Sequence, residues 1–156
     1  VAEAAGSGQG FEYGMDGPKT ILAGVDGSDS SWRAAAYAAG LARRQGALLA
    51  LVYVQPVASA VAAGVGGPLL EAGRQVADDL LQYIRQAVAR FGDPDHFRWE
   101  FHTFPGDPYT GIVATADRLK ADAVVVGASE RAGHRIVGSV AVRLVKAGRW
   151  PVTVVP

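Results

Sequence analysis

The stretch that decides the fold is residues 124–156, VVVGASERAGHRIVGSVAVRLVKAGRWPVTVVP. Its valines Val124–Val126 form a continuous β-branched run, the mark of a strand buried on both faces, and the strand is read over Ala123–Val126. Gly127 follows, and is expected to let the chain leave the strand at dihedrals that other residues resist. A short loop leads to Gly138-Ser139, with Ser139 expected as the N-cap of a helix over Val140–Ala147. Gly148 and Pro151 end that helix, and Val152–Val155 is a last strand. Strand, glycine turn and helix N-terminus together offer free backbone N–H groups at the positive end of a helix dipole. That is a physical recipe for holding an anion such as phosphate.

Working back from this stretch, Thr20–Val25 (TILAGV) reads as a strand ended by Asp26-Gly27-Ser28. Ser28 or Ser30 can cap the next helix, with Asp29 favourable in its first turn. That helix runs to about Arg44, with Trp32, Ala35, Ala36, Ala39 and Ala42 expected on one face. Gly46 closes it and Ala47–Val54 is a second buried strand. Gln55–Gly67 is a Pro/Gly/Ala/Val linker. A long helix from Pro68 to about Phe91 carries an apolar stripe, Leu69, Val76, Leu80, Ile84, Val88 and Phe91, stopped by Gly92-Asp93-Pro94. Arg98–Phe104 alternates as a half-exposed edge strand would. Gly106-Asp107-Pro108 is a turn, and Tyr109–Leu119 a short helix with Ile112, Val113, Ala116 and Leu119 inward. Val1–Pro18 has no periodicity and is read as a flexible tail before one domain over residues 19–156. Met15, the only methionine, offers an alternative start.

Five strands alternating with four helices imply an α/β fold: a parallel sheet with right-handed crossovers and helices on both faces. Ligands in such sheets sit beyond the carboxyl ends of the strands, where the strand order reverses. In the order 3-2-1-4-5, the first and fourth strands flank that point, and Asp26, Val54 and Gly127 converge on one crevice.

Composition narrows the function. Lys+Arg and Asp+Glu are 15 each, and this balance argues against nucleic acid as the main partner. The absence of cysteine removes disulfides, thiolate chemistry and cysteine metal sites, and suits a cytoplasmic location. No apolar run reaches the ~20 residues of a membrane span. Glu3 and the lack of an apolar core near the N-terminus do not read as a signal peptide. Gly127-Ala128-Ser129-Glu130-Arg131 begins like a nucleophile elbow but ends in Arg rather than Gly. His134 with Asp26 and Ser129 or Ser139 can be drawn as a triad, as any chain with three histidines allows. His96 and His102 stand apart from the crevice, and no metal-ligand spacing is present.

The chain resembles the universal stress protein family from Lys19 to Pro156. The resemblance rests on Ile21–Ser28 (ILAGVDGS), Leu41–Gly46 with its following strand, Gly106-Asp107-Pro108 before a short helix, and VVVG…GSVAVRLVKAGRWPVTVVP. It implies a Rossmann-like sheet of order 3-2-1-4-5, related to the adenine nucleotide alpha hydrolases, and a homodimer through the last strand. It also implies a stress-response role without an attached catalytic mechanism, and in many members ATP or another adenine nucleotide held by Gly-x2-Gly-x9-Gly-Ser/Thr. Here Gly127, Gly138 and Ser139 match that pattern. Glu130 replaces its second glycine, and only seven residues separate Glu130 from Gly138, so the loop is two residues short. By the family's positions, Asp26 and Val54 would address adenosine, and Gly127, Gly138, Ser139 and Val140 the ribose and phosphates. Arg131, His134 and Arg135 lie in the same loop and could supply positive charge, although Arg131 and Arg135 are of a kind more often found as solvated loop charges. The expectation is a module binding ATP, ADP or AMP. The alternatives are a dimeric interaction module that binds no nucleotide, and a small-molecule hydrolase.

Overall fold

Period-two alternation assigns each side of the sheet its own core. The strands are β1 (Thr20–Gly24), β2 (Leu48–Gln55), β3 (Trp99–Pro105), β4 (Ala123–Gly127), β5 (Ser129–Arg131), β6 (His134–Ile136) and β7 (Val152–Val155). The helices are α1 (Asp29–Gln45), α2 (Gly66–Val88), α3 (Pro108–Leu119) and α4 (Ser139–Ala147). The computed structural model describes residues 17–55, 66–91, 97–131 and 134–156. The tail over residues 1–16, most of the expected linker (56–65) and the stop signal Gly92-Asp93-Pro94 lie outside them.

Five strands form one parallel sheet in the order β3-β2-β1-β4-β7, as expected. Ile21, Ala23, Leu49, Leu51, Tyr53 and Val125 face one side, buried with Ala34, Ala38 and Ala42 of α1 and Leu80 and Ile84 of α2. Leu22, Val52, Val124 and Val126 face the other, buried with Ile112 and Ala116 of α3 and Ala141 and Leu144 of α4. Each fully buried Leu or Ile contributes roughly 1.5–3 kcal/mol. Small residues bring the layers close. A Cβ on Gly111 of α3 would stand 2.7 Å from Val54 Cγ2. On the far side, Gln55 donates to Leu70 O at 2.9 Å and fills the space that a Cβ on Gly73 of α2 would need.

Ser28 caps α1, accepting from Ser31 N, and Gly46 ends it in the left-handed conformation at φ 62°. Asp107 caps α3, with Pro108 in the first turn.

Several expectations are corrected. Ala36 is exposed, because it lies 100° past Ala35 and outside the arc buried by Ala34, Ala35, Ala38, Ala39 and Ala42. Val76 is 40% exposed; the inward face of α2 runs through Gly73, Ala77, Leu80 and Ile84 instead. The N-cap of α4 is Gly138, and Ser139 is already helical. Residues 128–138 are not an open loop: β5 and β6 pair antiparallel, with Glu130 opposite Arg135 and Arg131 opposite His134.

Candidate functional site

At the carboxyl ends of β1 and β4 the chain leaves in opposite directions, to β2 and to β7, and a cavity of about 490 Å³ opens there. Its volume is within the range of small-molecule sites. Asp26 and Ser28 line it from the turn after β1, and Val54 from β2. Gly127 and Ser129 line it after β4, Pro108 and Ile112 from α3, and Gly138, Ser139 and Val140 from the start of α4. Six sequence-predicted residues, Asp26, Val54, Gly127, Gly138, Ser139 and Val140, therefore share one cavity. The backbone of Arg131 is in β5, and its side chain lies outside the described residues.

One wall of the cavity is hydroxyl-rich and acidic. Asp26 Oδ1 accepts from Ser28 N at 2.9 Å and Ser28 Oγ at 2.6 Å, an Asx-type turn that Gly27, at φ 88°, allows to close. The Ser31 hydroxyl donates to Ser28 O at 2.9 Å and accepts from Asp26 N at 3.3 Å. Desolvation opposes ionisation of Asp26, but hydrogen bonds from Ser28, Ser31 and its own backbone outweigh it and hold its pKa below the ordinary value. Burial, and then the Asp26 charge, push the pKa of Tyr53 up.

The facing wall is the start of α4. Its first helical hydrogen bond runs from Val142 N to Gly138 O, and its N-cap, Gly138, has no side chain to cap it. The amides of Ser139, Val140 and Ala141 thus point out of the helix end without an intrahelical acceptor. The side chains of Ser28 and Asp107 cap α1 and α3, the other two helices whose first turns line the cavity. Among these three ends, α4 is the one open to an anion.

Gly127 joins the two walls for a reason other than the expected one. Its φ is not positive. A Cβ there would lie 2.6 Å from the backbone carbon of Ser30 and 2.8 Å from its Oγ, so glycine is required for β4 to approach the first turn of α1. Ser30 and Ser31 are 5% and 4% exposed. Their lining role, like that of Ile112, was not read from the sequence, where serines after Asp-Gly signal a cap and Ile112 only an inward face.

The catalytic drawings gain little from this arrangement. Ser129, Ser139 and Asp26 line the cavity, but Asp26 is bonded within its own turn, and the side chain of His134 lies outside the described residues. His102 is on β3, beside Glu100 at 2.8 Å and away from the cavity lining. Among the described residues, no cluster of three or more His, Asp or Glu is placed to hold a metal, and no helix is long and apolar enough to cross a membrane.

The universal stress protein family model matches residues 17–156. Universal stress protein MJ0531 of Methanocaldococcus jannaschii is 30% identical over 142 residues, 88% of this chain and 81% of that protein. The structure of universal stress protein UspA from Lactobacillus plantarum is 28% identical, with TM-score 0.76 over 88% of this chain and 97% of that one. A universal stress protein solved in complex with cAMP is 26% identical, with TM-score 0.57 over 89% of this chain and 97% of that one. The match spans every described element, from the residues before β1 to the last strand, and the chain belongs to the universal stress protein family.

Proposed function

We propose that this protein is a stress-response module that binds an adenine nucleotide in the crevice between β1 and β4, and that it works as a homodimer in the cytoplasm. The observation that carries the nucleotide reading is the pairing of two unlike walls: an acidic, hydroxyl-rich turn at Asp26 and Ser28 faces the uncapped end of α4. Adenosine offers hydroxyls and an amino group, which donate to a carboxylate; phosphate accepts from backbone amides. Asp26 and Val54 address the adenosine end, and Gly127, Gly138, Ser139 and Val140 the ribose and phosphates, with Arg131 adding positive charge. A relative's complex with cAMP supports the same class of ligand. No catalytic step is assigned.

Mass spectrometry of the purified protein for a co-purifying nucleotide, followed by calorimetric titration with ATP, ADP, AMP and cAMP, tests this reading. Saturable heat with any of the four is the expected result, and no heat with all four rejects it. The second reading, a dimeric interaction module without nucleotide, is favoured by the β5–β6 hairpin. That hairpin commits to its own ladder some amides that an open loop would offer to phosphates.

A further inference from the structure

The uncapped end of α4 is held in place by a residue outside the cavity lining. Arg143, one turn into α4, reaches across to α3. Its guanidinium is 3.3 Å from each carboxylate oxygen of Asp107, and its carbon is 4.0 Å from the centre of the Tyr109 ring. Asp107 is itself fixed. It caps α3 by accepting from Thr110 N at 3.0 Å and Thr110 Oγ1 at 2.9 Å. The preceding amide, Gly106 N, donates to Gln55 O at 2.8 Å, tying the start of α3 to the end of β2. Gly111 then packs on Val54. The start of α3 is thus part of the sheet's frame, and Arg143 clamps α4 to it.

We propose that Arg143 is a positioning residue for the anion end of the crevice. Through Asp107 and Tyr109 it fixes where the amides of Ser139, Val140 and Ala141 stand relative to Pro108 and Ile112, without contacting the ligand. The guanidinium reaches both oxygens through one nitrogen, Nη1, and lies over the Tyr109 ring, a stacked contact that fixes direction as well as distance and that a lysine would not reproduce. The hydrogen bonds of Thr110, and then the Arg143 charge, hold the pKa of Asp107 below its ordinary value. The ligand part of the inference rests on the nucleotide reading; the clamp itself does not.

The test has two arms. In the first, adenosine, AMP and ADP are titrated against the unmutated protein, Arg143→Gln and Asp107→Asn. Half-exposed ion pairs of this kind carry up to ~1 kcal/mol, so affinity for AMP and ADP falls about three- to fivefold in both variants while adenosine affinity holds. Asp107→Asn decides the matter. It keeps a capping side chain but removes a negative charge from beside the anion site. If Arg143 acted by its charge on the ligand, freeing it would strengthen AMP binding, and that result overturns the proposal. So does an equal loss for adenosine. The second arm needs no ligand: hydrogen exchange of the Val142 amide, the first hydrogen-bonded one of α4, is faster in Arg143→Gln than in the unmutated protein. Unchanged exchange rejects the clamp even if every nucleotide binds. Faster exchange with no nucleotide heat keeps the clamp and rejects only the nucleotide reading.

Discussion

Gly127 separates what a residue type signals from why it is there. The sequence marks it as a turn glycine, a reading that predicts a positive φ. The structure instead makes it the contact point between β4 and α1, with Ser30 backbone where a Cβ would be. That contact is long-range, and no local pattern encodes it. Because the obstructing atoms are backbone, even Gly127→Ala forces the two elements apart. We expect a loss of about 1–3 kcal/mol, typical of overpacking, seen as a lower urea midpoint at unchanged slope. An unchanged midpoint would show that the contact relaxes freely. A lost nucleotide signal in this variant must therefore be read beside its stability. Asp26 and Asp107 both have pKa values held down in the folded state. For a depressed carboxylate, stability is fully present above the unfolded value, about 3.9, and is lost as pH falls through the lower folded value. Acid titration of stability should thus show a flatter loss below about pH 4 in Asp26→Asn than in the unmutated protein. Parallel acid limbs would mean that ionisation of Asp26 adds nothing to stability.

At the scale of elements, the sheet was legible because β4 and β7 are β-branched runs, β1 and β2 are continuous apolar runs and β3 alternates. Order and crossovers then followed from general topology together with the family resemblance. Helix starts were legible only where a side chain caps. Ser28 and Ser139 look alike in sequence, yet Ser28 accepts from the α1 backbone and Ser139 follows a bare Gly138 cap. The two serines give a paired prediction. Ser28→Ala costs about 1 kcal/mol of stability, as cap removals do. Ser139→Ala stays within about 0.5 kcal/mol, as for substitutions away from such features. Equal losses in thermal melts would refute the assignment of the caps. The β5–β6 hairpin was missed because strands of three residues are too short to show a period. It also shapes the ligand expectation. Glu130 and Arg135 are paired across the ladder, so on the nucleotide reading the segment expected nearest the outer phosphates commits backbone groups to its own hairpin. AMP and ADP should therefore bind about as tightly as ATP. A calorimetric preference for ATP beyond tenfold would mean the hairpin opens around the γ-phosphate.

At the scale of the molecule, β3 and β7 are the two outer strands among the described residues, and they are not equivalent. On β3, His102 Nε2 is hydrogen-bonded to the Glu100 carboxylate, and Arg118 donates to His102 Nδ1 and sits over Phe104; these charged side chains discourage another strand. On β7, Val152-Thr153-Val154-Val155 carries no charge, and all four residues are only partly buried. Pro151 O accepts from Val124 N, and Val155 O from Ala128 N, so the odd positions of β7 face β4. In a parallel ladder the N–H and C=O of one residue point the same way, which leaves Val152 and Val154 with both groups on the open side. Pro151 has its missing donor on the β4 side, so it takes no donor from the open side. Pairing of β7 with its own copy about a two-fold axis would satisfy the open groups and close the assembly. Tyr37 of α1 and Val145 of α4, 47% and 58% exposed, sit on the helices that flank β7 and would add apolar area to such a contact. Light scattering at micromolar concentration should give a dimeric mass for the full chain and for the chain beginning at Met15. Monomers in both would reject the dimer, and a dimer only in the shorter chain would mean residues 1–14 guard the edge. Val154→Pro sharpens the experiment. It removes a donor on the open side while leaving the β4 ladder its own, so it should yield a folded monomer. A dimer that survives this substitution is not built on β7.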